Sequence, residues 1–271
     1  MGKLISINSF PQIHFNCGKS DTADENMLLV IDTLLRVMNE VLPIQSVSTT
    51  ITIQKERECP ACFKESDLII LNSNPSSWSR LAYQLAHEMC HTVIHGKVQQ
   101  NLRWLEESIC ELSSYYFLPK LSEYWQNTAI NLMTADGQLY YPCFKTYVEN
   151  DVQKAIPFEI SQLCKTPKTQ LAKKLDSDPY LRDMNSYIAN RLLPIFQSHP
   201  NTWSAVPLLC KMCIRDSYYS VSIQLRITQH RLSVFFSPLF YQPQDQQILS
   251  IPCPVLKCLA PLHSLIFDKR Y

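Results

Sequence analysis

Between Asp24 and Leu42, apolar residues recur at helical spacing: Met27, Leu28, Ile31, Leu34, Leu35, Met38 and Val41 line one face, and Pro43 ends the run. This pattern predicts an amphipathic helix. Val47 to Ile53 is rich in β-branched residues and Asp67 to Leu71 is a short apolar run, so both read as strands joined by a polar, hairpin-like connection. Asn74-Pro75 then offers an N-cap and a first-turn proline for a helix reaching about His95, where Gly96 supplies the left-handed residue that closes it. Leu81, Leu85, Met89 and Val93 form its apolar stripe. After a short connection over 97–101, a second helix is expected over 102–118, stopped by Pro119 and folded back on the first as an antiparallel hairpin. From 120 to about 209 the pattern stays mostly helical, most clearly from Tyr180 to Leu193 ahead of Pro194. Together these elements predict an α+β fold class: a small sheet and two paired helices, followed by a helical region.

The 271 residues are 46% hydrophobic and 18% charged with a formal net charge of +1, which suits one large or two small soluble domains and excludes a disordered or collagen-like chain. So neutral a balance offers no general attraction to nucleic acid or to an anionic membrane, and no direct contact with either is expected. Lys165, Lys168, Lys173 and Lys174 read as a solvated face. Met1 to Phe10 lacks a long apolar stretch, and nothing later approaches the roughly 18 apolar residues of a membrane span. The expected location is cytoplasmic. There, the 11 cysteines are thiols or metal ligands rather than disulfides.

Lys211-Met212-Cys213-Ile214-Arg215-Asp216-Ser217 resembles a translated transposon-end sequencing adapter, and Tyr218 to Tyr271 contains neither Gly nor Glu. Residues 210–271 therefore read as an adapter-derived or chimeric tail with no functional weight.

His87-Glu88-Met89-Cys90-His91 is an H-E-x-x-H motif inside the first helix of the hairpin. Residues four apart share a helical face, so both imidazoles can converge on one Zn²⁺ while Glu88 is offset toward a metal-bound water. Such a site hydrolyses peptide bonds, with Glu88 as the base. A catalytic zinc needs a third protein ligand, and the next helix offers Glu106, Glu107 and Glu111. In a hairpin centred near residue 99, Glu107 lies level with His91 and Glu111 with His87. Glu106 is turned about 100° from Glu107 and is the weakest candidate. Height does not separate Glu107 from Glu111; one can be a ligand and the other a hydrogen-bond support.

Leu85-Ala86-His87-Glu88-Met89-Cys90-His91, followed by Glu107-Ser108-Ile109-Cys110-Glu111 and Phe117-Leu118-Pro119, resembles the ImmA/IrrE-type gluzincin metallopeptidases over about residues 65–119. Ser108-Ile109 departs from the Ala-Asn that often follows the family's ligand Glu. The resemblance implies a minimal zincin-like domain over 1–119, ahead of the helical region at 120–209. It also implies His87, His91 and Glu107 as zinc ligands, with Glu111 as alternative third ligand, and Glu88 as catalytic base. The implied activity is a regulatory endopeptidase that cleaves a transcriptional repressor or another partner protein. The alternative is a degenerate zincin module acting through protein binding.

The remaining chemistry-bearing residues read more plainly. Cys59-Pro60-Ala61-Cys62 is taken as a turn with two thiols, because its apparent partner, Cys210-Lys211-Met212-Cys213, overlaps the adapter. Cys90 and Cys110 are expected in the core, as are Tyr115 and Tyr116, and His95 is expected at the surface.

Overall fold

A computed structural model describes residues 2–18, 22–152, 155, 157–159, 163 and 169–211. Nearly all of the suspected tail, together with Lys165 and Lys168, lies outside them.

The chain opens with β1 (Leu4–Ile7) and β2 (Phe10–Asn16), followed by helix α1 (Glu25–Asn39) and β3 (Thr49–Ile53). Asp24 starts α1 by accepting from the backbone N–H groups of Asn26 and Met27. Next come β4 (Ala61–Phe63) and β5 (Leu68–Leu71), joined by a tight turn in which Asp67 adopts a left-handed φ of 47°. The sheet order is β1-β2-β3-β5-β4, with the central pairs β2/β3 and β3/β5 parallel and the outer pairs antiparallel. The fold is therefore α+β with a small mixed sheet. The polar connection after β3 is longer than a hairpin: it passes over the β5 position, forms β4 at the edge, and only then turns back.

Helix α2 (Trp78–Val93) packs on β4 and β5 and carries the H-E-x-x-H motif. It starts three residues later than Asn74-Pro75 suggested, because Ser77 N–H closes a turn on Asn74 O at 2.9 Å before the helix begins. Gly96 has φ +97° just beyond its end, the left-handed conformation expected there. Helix α3 (Arg103–Asn127) runs straight through Pro119, correcting the expected stop. It is held from all sides by α1, α2, α4 (Tyr141–Val152) and α6 (Arg182–Ser198), and Trp125 Nε1 ties it to α1 by donating to Thr33 Oγ1 at 2.9 Å. Pro194 likewise lies inside α6. Helix α5 (Gln170–Ser177) and a 3₁₀ segment, Pro200–Lys211, complete the described chain.

The main buried cluster extends from Ile7 in the sheet to Trp203 and Val206 beyond α6, and a smaller one joins Leu163, Leu175 and Ile188. Position 119 therefore falls inside a helix that runs through the main core.

Candidate metal centre

Small side chains let α2 and α3 approach closely. Ser113 Oγ donates to Ala86 O at 2.9 Å and Ser114 Oγ to Tyr83 O at 2.8 Å, while Cys90 and Cys110 are fully buried between the helices. These contacts fix which face of α3 meets the histidines. Glu107 lies between them, with Oε2 at 3.4 Å from His87 Nε2 and Oε1 at 3.5 Å from His91 Nε2. One donor atom from each of His87, His91 and Glu107 lies within 4.8 Å of the others, so these three residues can hold a metal ion.

The other two glutamates take the far nitrogens. Glu111 Oε2 stands 3.3 Å from His87 Nδ1, and Glu106 Oε1 stands 2.9 Å from His91 Nδ1. When the rings are neutral with each Nδ1 as the N–H donor, each Nε2 has the lone pair that a metal would take. Exposure follows the same division: the side chains of His87, His91 and Glu107 are 19%, 13% and 16% accessible, against 9% and 3% for Glu106 and Glu111. The partly open side is where a further ligand can enter. Glu88, the other member of the motif, is buried at 4% exposure.

Burial opposes charge on both imidazoles, yet their hydrogen bonds to carboxylates outweigh it. In the metal-free protein, Glu106 and Glu107 carry His91 up to about 9, and Glu107 and Glu111 raise His87 well above its ordinary value. Burial also works against the charged carboxylates. The histidines nevertheless hold Glu107 far below the usual range and bring Glu111 down to about 2. Glu88 is raised instead, chiefly by burial, with the two imidazoles pulling the other way.

Behind Glu111 lies a network that the sequence did not announce. Tyr83 Oη lies 2.6 Å from Glu111 Oε1 and 2.7 Å from Asp151 Oδ2, its single O–H shared between the two carboxylates, and Ser186 Oγ donates to Glu111 Oε1 at 2.9 Å. Arg182 stands 3.9 Å from Glu111 and 3.8 Å from Asp151. Tyr83 had a readable signal, four residues before His87 and so on the same helical face. Asp151, Arg182 and Ser186 had none, because they come from α4 and α6.

Tyr115 is buried with its hydroxyl on Asp151 at 3.1 Å, and Tyr116 is buried among Phe117 and Trp203, so both belong to the core. His95 is exposed. Cys59 is exposed too, whereas Cys62 is half-buried with Sγ 3.3 Å from Thr92 Oγ1, and burial pushes its thiol up to about 11. Cys213 lies outside the described residues, while Lys173 and Lys174 are exposed on α5. Among the described residues, no helix is long and apolar enough to cross a membrane.

Comparison with known protein families, curated proteins and solved structures finds no match to this chain.

Proposed function

We propose that this protein is a zinc-dependent endopeptidase with a zincin-like fold. The observation that carries the reading is the placement of the Glu107 carboxylate against both Nε2 atoms, with Glu88 buried on the same helix turn. Two imidazole nitrogens and one carboxylate, with an accessible side, are the donor set of a catalytic zinc rather than of a closed structural one. His87, His91 and Glu107 would hold the ion. When bound, zinc polarises a peptide carbonyl and makes water a nucleophile near neutral pH. Glu88 takes the proton from the attacking water and passes it to the leaving amine. Glu111 and Glu106 keep the two rings turned so that Nε2 of each faces Glu107. The resemblance to ImmA/IrrE-type peptidases supports a protein substrate, with a transcriptional repressor as the leading class.

The test is zinc content by mass spectrometry together with cleavage of a peptide mixture prepared from a digested proteome. We expect one zinc per chain and cleavage at defined bonds. Glu88→Gln should keep the metal and lose at least 100-fold in rate, on the order of what a positioned general base contributes. His87→Ala should lose the metal. Undiminished cleavage by Glu88→Gln would overturn the mechanism, and zinc binding without cleavage by the unaltered protein would leave the protein-binding module instead.

A further inference from the structure

Lys64 lies at the turn where β4 ends, 42 residues before Glu106. Its ammonium group has three protons and three short contacts: Ile94 O at 2.8 Å, Gly96 O at 3.2 Å and Glu106 Oε1 at 2.7 Å. The first two are carbonyls at the C-terminal end of α2, where backbone acceptors lack helical partners and positive charge is favoured. The third is the same oxygen that stands 2.9 Å from His91 Nδ1. Glu106 is 7% exposed, so its carboxylate depends on these two neighbours for its charge and its orientation.

Resting on the reading of His87, His91 and Glu107 as the metal site, we infer that Lys64 is a positioning residue for it. By clamping Glu106 against the end of α2, Lys64 holds the acceptor that fixes the His91 ring and keeps the proton on Nδ1, leaving Nε2 free to bind metal. The edge of the sheet thus reaches the metal site through one side chain. A plain helix cap would need only the two carbonyl contacts. The third contact is what ties Lys64 to the ligand.

The test uses the full chain and measures zinc affinity by chelator competition for Lys64→Met, Lys64→Arg, Glu106→Gln and the Lys64→Met/Glu106→Gln double variant. Lys64→Met should weaken zinc binding at least 10-fold, within the roughly 10–100-fold range for support of a ligand. Lys64→Arg should restore most of the loss, and the double variant should bind no more weakly than Glu106→Gln alone. If Lys64→Met does not fold, Lys64→Gln replaces it, keeping a donor for the carbonyls but no charge for Glu106. A lower melting temperature with unchanged zinc affinity, or losses that multiply in the double variant, would overturn the inference. Nitrogen-15 NMR of the His91 ring in the metal-free protein separates this result from failure of the metal site itself. Even if the unaltered protein binds no zinc, in alkaline buffer where the ring is neutral its one ring proton should sit on Nδ1 in it and in Lys64→Arg, and move in part to Nε2 in Lys64→Met; an unchanged tautomer signal in Lys64→Met overturns the inference.

Discussion

Three glutamates share two imidazoles in this site, and each takes a different position. Glu107 meets both Nε2 atoms, while Glu106 and Glu111 each hold one Nδ1. This arrangement has a consequence for metal uptake. In the metal-free protein His91 titrates at about 9 and His87 well above its ordinary value, so both carry a second proton at pH 7, whereas Glu107 is already ionised. Metal binds the neutral imidazole, so loading should release about two protons per zinc at pH 7, and apparent affinity should climb as pH rises above 7. Calorimetry in two buffers of unlike ionisation heat checks this. Zero net release would mean that the rings are already neutral.

At the scale of elements, the helices follow their apolar spacing more faithfully than their punctuation. The stripe of α2 and its end near Gly96 were legible, because periodicity and a left-handed glycine are local properties. Pro119 misled because a proline stops an isolated helix, whereas α3 is gripped on every side by other helices. Its ring still removes the N–H that would reach Tyr115 O. Pro119 is only partly buried, so Pro119→Ala should raise stability by about 1–2 kcal/mol in urea unfolding, the regained bond being offset in part by a freer unfolded chain. A loss of stability would show that neighbouring helices are shaped around the proline. Strands β1, β2 and β4 were not legible: β1 and β4 are short, and Pro11 and the polar residues of the longer β2 blur any alternation.

For the whole molecule, the deciding feature is that the sheet, the motif helix and helices α4 and α6 share one core. Trp203 is fully buried, with ring centres 5.1 Å from Tyr116, 5.0 Å from Phe117 and 4.8 Å from Phe196, although it lies more than 100 residues beyond the metal-site helix α2. Trp203→Ala should therefore cost about 3–5 kcal/mol, and circular dichroism and tryptophan fluorescence should still report one shared unfolding transition. Two separated transitions would show that the helical region folds by itself. The helical region also supplies Asp151, Arg182 and Ser186 to the support of Glu111, so the candidate metal site draws on residues well beyond α2 and α3. By itself, the sequence determined that His87, Glu88 and His91 share one stretch of helix, since 3.6-residue periodicity needs nothing beyond the chain's own backbone. Only the tertiary structure decided which glutamate faces the two Nε2 atoms and that Lys64 and Ser186 stand behind them. The rotation and height of one helix against another are set by side chains packing across the interface, and residues 42 or 75 positions apart are brought together only when the core closes.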